Sequence, residues 1–216
     1  MTTEFQGIPV EAFEFYRVLA TNNTREWWSA HKGDYETSVR DPLVNLLAEL
    51  QDEFGNGHLF RPHRDTRFSK DKSPIKEHQG AVIEIEDAMG YYIQVSAAGL
   101  MVGGGWYAPQ GQQIHRYRNA VEGPAGAELE RLIKALGRRL TIDGDPVKTR
   151  PRGVDADHPR LELMRFRRFT MMREYEGEPW IGTRKLLTHV RADWRAIRTV
   201  MEWLADQVGP AEEPGS

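Results

Sequence analysis

Arg61, Arg64, Arg67, Lys70, Lys72 and Lys76 fall within one short run of the chain, with only Asp65 and Asp71 among them to offset the charge. The run carries a formal +4 in a chain of −3, so everything outside it sums to −7. Guanidinium groups are planar forks that grip phosphate or carboxylate in bidentate fashion, and ammonium groups act as point charges. Arg64, Arg67, Lys70, Lys72 and Lys76 are therefore candidate ligands for a small anion, phosphorylated or carboxylated. Asp65 is placed to hold a neighbouring arginine in one pose before a ligand arrives. The competing reading is a clamp of salt bridges to acids such as Glu84, Glu86 and Asp87. Exposed pairs of that kind contribute only about 0–1 kcal/mol each, a weak reason to crowd six cations together. The anion site is the preferred reading.

Other residues could extend the chemistry. Asn23 and Arg25 stand at a helix start, where backbone N–H groups and the dipole favour anions, although Asn23 followed by Glu26 also reads as a capping box. Gly103-Gly104-Gly105-Trp106-Tyr107 could let backbone approach a ligand, with Trp106 as a stacking face and Tyr107 as a phenol. The glycines match neither a dinucleotide fingerprint nor a P-loop, and such a run is more commonly a bulge or hinge at a strand end. Tyr107 and His115 are the candidate proton-transfer groups, and Arg116 joins the candidate anion ligands. No metal site is expected: the seven His are scattered, and Asp155-Ala156-Asp157-His158 in a Pro/Gly-rich loop reads as turn chemistry. No nucleophile elbow is present. Arg184, Arg191, Arg195 and Arg198 share one arc of the last helix and read as an ordinary solvated face. The alternative is that this face and the cationic run form one nucleic-acid surface on which Trp106 stacks.

The run Arg64 to Lys76 resembles the signature of an uncharacterised family, domain of unknown function 2461. Asn22-Asn23-Thr24-Arg25-Glu26-Trp27-Trp28, Lys32, Tyr35, Gly105-Trp106-Tyr107-Ala108-Pro109 and Arg116 are similar to its flanking pattern, and the likeness extends from about Phe13 to Trp203. Ile75 departs from it, standing where the resemblance implies an aromatic, usually Tyr, so any role of that phenol is absent here. The family implies no assigned activity.

Elements must hold these residues in place. Helices are expected from Pro9-Val10 onward with Phe13, Tyr16, Leu19 and Ala20 inward, then from Asn23 with Trp28, His31 and Tyr35 on one side. Another starts at Asp41-Pro42 and repeats Leu43, Leu46, Leu47, Leu50 and Phe54 until Gly55. Val82 to Glu86 and Tyr91 to Ser96 alternate around a turn, and Leu100 to Val102 adds a third strand before the glycines. Gln112–Val121 and Ala125–Leu136 read as helices, Leu140 to Ile142 as a short strand, 149–159 as loop and 165–175 as a strand. Leu186, Val190, Trp194, Ile197, Met201, Leu204 and Val208 stripe a final helix. The fold class is α+β: an antiparallel β-meander sheet packed against N-terminal and C-terminal helices. Residues 1–208 read as a single domain and 209–216 as a disordered tail.

With 39% hydrophobic residues and six Trp the chain is globular, and no run nears the roughly 18 apolar residues of a membrane span. Zero Cys excludes disulfides, thiolate catalysis and cysteine-ligated zinc. The start Met-Thr-Thr-Glu-Phe-Gln lacks the pattern of a signal peptide, so a cytoplasmic protein without membrane attachment is expected. Cofactor, reaction and oligomeric state are unassigned.

Overall fold

Pro9, with its φ of −68° already set for a helix entry, leads into α1 (Val10–Thr21). The computed structural model describes residues 4–67 and 70–211; Phe68, Ser69 and most of the expected tail, 212–216, lie outside the described residues. The inward face of α1 is Ala12, Phe15, Tyr16 and Leu19, where the pattern pointed to Phe13 and Ala20. Phe15 wins the inner position because its ring meets Trp27, Trp28 and Tyr35 at centroid distances of 5.4, 6.2 and 6.0 Å.

Thr24, not Asn23, caps α2 (Arg25–Tyr35), its side chain accepting from the Trp27 N–H at 3.1 Å. A π-helical turn over Glu36–Arg40 then carries the chain without a break into α3 (Asp41–Phe54). Asp41-Pro42 therefore lies within a continuous helical rod instead of opening a new one. The wide turn accommodates a proline that has no N–H to donate and whose ring clashes in a regular helix. Leu43, Leu46, Leu47, Leu50 and Phe54 are all buried, and Gly55 at φ 101° ends the rod.

Six strands form an open antiparallel sheet in the order β1-β2-β3-β4-β6-β5. They are β1 (Gly57–Leu59), β2 (His78–Glu86), β3 (Met89–Ser96), β4 (Gly99–Trp106), β5 (Thr141–Asp143) and β6 (Phe169–Tyr175). Gly103, Gly104 and Gly105 lie inside β4, next to its end at Trp106. A Cβ on Gly103 would stand 2.0 Å from the Met171 carbonyl oxygen, and one on Gly105 2.1 Å from that of Phe169. The close backbone approach they permit is to the neighbouring strand, not to a ligand. Residues 111–122 and 125–136 form α4 (Gly111–Glu122) and α5 (Ala125–Leu136). β6 starts later than its alternation indicated, because Arg165 closes the short α6 (Leu161–Met164) through hydrogen bonds to Leu161 and Glu162.

The chain groups into two compact units interleaved in sequence. The first comprises the described residues of Met1–Ile83, Tyr92–Val102 and Glu174–Ala192; the second those of Glu84–Tyr91, Gly103–Arg173 and Asp193–Ser216. The first is centred on α1, α2 and α3, with Trp28 against Tyr35 at 4.9 Å. The second is centred on Tyr117, whose ring meets Trp106, Phe169 and Trp203 at 5.8, 6.4 and 6.3 Å. The stripe from Leu186 to Val208 on α7 (Lys185–Val208) is buried throughout. No helix of the described residues is long and apolar enough to cross a membrane.

Candidate functional site

The cationic run is the connection from β1 to β2, and it folds back along itself. Gly57, His58 and Leu59 pair with Ile83, Val82 and Ala81, and the Phe60 N–H donates to the Gly80 carbonyl at 3.0 Å. The ladder resumes around His63 and Ile75, where Lys76 N–H donates to Pro62 at 2.9 Å and Arg64 N–H to Pro74 at 2.8 Å. Between these rungs the returning arm has the extra residues, so it bulges where Lys76 and His78 sit. A bulge re-aims the side chains it carries.

Asn23 fastens the hairpin to the start of α2. Its Nδ2 donates to the Ile75 carbonyl at 2.9 Å, and its Oδ1 accepts from the Ile75 N–H at 3.1 Å. The side-chain amide thus replaces a missing strand partner, and the capping role read from sequence passes to Thr24. Ile75 itself is buried. Because the fastening uses only its backbone, the aromatic implied by the resemblance is not needed for it.

Within the run, the two acids take two of the cations. Asp65 grips Arg67 through Nε at 3.0 Å and Nη2 at 2.7 Å, which holds the Asp65 carboxyl below the usual carboxylate range. Arg67 is nonetheless 77% exposed. Asp71 pairs with Arg64 and is held low first by the Ser73 N–H at 2.9 Å and then by that arginine. Lys72 donates to the Thr66 carbonyl at 2.8 Å. Arg61 is exposed and its charge also helps hold the Asp65 carboxyl low; Lys70 is exposed.

Lys76 and His78 feel the charges of the other cations. The Lys76 ammonium stands 5.7 Å from the Phe60 ring centroid, a cation–π arrangement. Burial, then the charges of Arg61 and Arg64, hold it below the ordinary lysine range. His78 is held below its ordinary 6.5 by burial first, then by Lys76 and Arg64. Arg64 Nε is buried and has no acceptor among the described residues. Arg61 and His78 were not among the sequence-derived ligands. His78 stands two residues beyond Lys76, but its place among the cations also depends on the fold-back that brings Arg64 within electrostatic reach.

Arg25 is exposed at the first position of α2. Tyr107, His115 and Arg116 belong to the second unit. The Tyr107 hydroxyl donates to Glu84 at 3.1 Å, and burial first, then that bond and the Glu84 and Asp87 charges, push it up to about 12. It stays protonated near neutral pH and is poorly suited to act as a base. His115 is exposed on α4. Arg116 donates to the carbonyls of Val208 and Pro210, and Gln113 donates to Gly209 at 2.9 Å, so the chain just past α7 is held. Trp106 is fully buried and presents no stacking face. Arg184 grips Glu4 at 2.9 Å and Glu49 at 2.8 Å, and Arg191 pairs with Glu53 at 3.4 Å. The Asp155–His158 segment is a turn closed by Asp157 N–H onto Asp155 at 3.1 Å, and no metal-holding group of three acids or His occurs among the described residues.

An α+β chain with a fastened cationic hairpin matches one family model, that of conserved hypothetical proteins designated DUF2461, over residues 11–203. The chain belongs to the DUF2461 family. No curated protein and no solved structure matches it.

Proposed function

We propose that the β1–β2 hairpin binds a small phosphorylated or carboxylated ligand, with Arg61, Arg64, Lys76 and His78 at the centre and Lys70, Lys72 and Arg67 around it. The observation that carries this reading is the gathering of cations around Lys76 and His78: burial first, then Arg61 and Arg64, hold Lys76 low, and burial first, then Lys76 and Arg64, hold His78 low. Like charges gathered at a partly buried place disfavour the unliganded state, and a bound anion relieves that cost. The unmatched Arg64 Nε–H supplies a donor in search of an acceptor. Asn23 serves the site by fixing the hairpin, not by touching the ligand. A catalytic role for the cations would be stabilisation of negative charge developing on the ligand.

Sulfate titration followed by thermal melting tests the reading. Sulfate raises the melting temperature of the wild type with one-to-one stoichiometry, and Lys76→Met and Arg61→Ala, still folded, lose that gain. Equal stabilisation of wild type and variants sinks the proposal. Tight binding of oligonucleotides with a steep fall in log K against log salt would move the assignment to nucleic acid.

A further inference from the structure

We propose that the groove between α3 and β1 receives the body of the ligand, and that the ligand is a phosphate ester bearing a flat, hydrogen-bonding ring, of the nucleoside monophosphate type. This rests on the reading that the hairpin binds an anion, and extends it from a charge to a substrate class.

The chain path builds the groove. α3 runs to Gly55, turns, and returns as β1, so Gly57 lies against Leu47, whose side chain is 2.9 Å from where a Cβ would stand. The cleft left between helix and strand has a volume of about 460 Å³, within the range of small-molecule sites. Its chemistry is graded along its length. Arg61, on the return path, and Arg40, immediately before α3, both line the cleft. Arg61 is exposed, makes no salt bridge within 4 Å among the described residues, and belongs to the hairpin cluster. Arg40 touches Glu36 at 3.4 Å and Asp41 at 3.2 Å, one nitrogen each, which leaves donors of its five over. Leu47 and Ala48 form an apolar floor. At the turn end stand the exposed Gln51 and Asn56, whose side-chain amides have no hydrogen-bond partner among the described residues.

Each part has a matching ligand part. Two guanidinium groups lining one cleft suit a phosphate. An apolar floor suits a ring face. Paired amides, each a donor beside an acceptor, suit the hydrogen-bonding edge of a heterocycle. A bare inorganic anion would use only the first of these, and a fatty chain would leave the amides unmatched.

Calorimetric titration of the wild type with inorganic phosphate and with adenosine 5′-monophosphate reads the difference. The nucleotide is expected to bind at least about tenfold more tightly than phosphate. Ala48→Phe, which fills the floor, is expected to bring nucleotide affinity down to that of phosphate and to leave phosphate binding unchanged. Gln51→Leu, at an exposed position that the fold does not need, should remove several-fold of the nucleotide's advantage with no change in melting temperature. If phosphate binds and the nucleotide binds no tighter, or both variants retain the full advantage, the groove is not the binding site and only the hairpin reading survives. If neither probe binds, both readings fall.

Discussion

The second unit and the cationic hairpin of the first use arginine differently. In the second unit, guanidinium groups finish helices and loops. Arg160 donates to Val121, Glu122 and Gly123 at 2.6, 2.9 and 3.1 Å, closing the end of α4. Arg118 reaches Met164 at the end of α6 at 3.0 Å, Arg165 reaches Val147 at 2.9 Å, and Arg116 reaches the end of α7. Helix C-termini leave carbonyls without intrahelical donors and carry negative partial charge, so a fork of N–H groups answers both needs. In the hairpin of the first unit, Arg64 pairs with Asp71 and yet, with Arg61, also acts on the Lys76 ammonium. Residue type is shared between the regions; what differs is whether backbone carbonyls take up the guanidinium or other cations crowd it.

The contrast can be broken at several points. The largest effect is expected for Arg160→Ala, whose side chain is only 16% exposed. Leaving its carbonyls without donors should cost about 2–4 kcal/mol in urea unfolding, and Arg160→Lys should restore little, because an ammonium cannot reproduce the fork. Next comes Asn23→Ala, expected to lose about 1–3 kcal/mol and to speed hydrogen exchange at the Ile75 N–H. Asn23→Asp should remain impaired, since a carboxylate cannot donate to the Ile75 carbonyl.

Lys76→Met should melt no lower than the wild type without ligand, because it removes a charge that its neighbours oppose, yet sulfate affinity should fall about tenfold. A large loss of stability in this variant would put the hairpin cations in the same structural role as Arg160.

The pH dependence sharpens the comparison further. With His78 held below 6.5 in the folded state, the unfolded chain binds a proton just under that pH which the folded chain refuses. Its contribution to stability is therefore full above pH 6.5 and declines as pH falls through the folded value. The difference between wild type and His78→Asn in urea titrations should show that decline, and saturating sulfate should flatten it. A difference that stays level from neutral to mildly acidic pH would remove His78 from the cluster. The smallest effect is expected for Arg67→Ala, whose pairing with Asp65 is wholly at the surface and should leave the melting temperature unchanged.

Periodicity made the hydrophobic skeleton legible. The apolar repeats of α3 and α7 are buried residue for residue, and α4, α5 and the β2–β3 hairpin lie close to where alternation and helical spacing put them. Local signals failed where two residues competed for one task. Asn23 and Thr24 are both good caps, and only the arrival of Ile75 decides which one caps. The glycines of β4 resemble a ligand loop until β6 is laid against them. Asp65 orienting Arg67 was legible because it is a contact between near neighbours in sequence; His78 joining the cations was not, because it depends on a fold-back of the chain.

Amino-acid order alone determined that this protein is α+β, which stretches are buried, and that its positive charge is concentrated in one connection. These follow from short-range rules of side-chain spacing and charge count, which need no knowledge of partners. Tertiary structure decided which carboxylate each cation meets and which other charges act on Lys76 and His78, and opened the groove that α3 and β1 share. Those outcomes depend on groups distant in sequence, such as Asn23 and Ile75, and the energy of a charge is set by what surrounds it, not by its own identity.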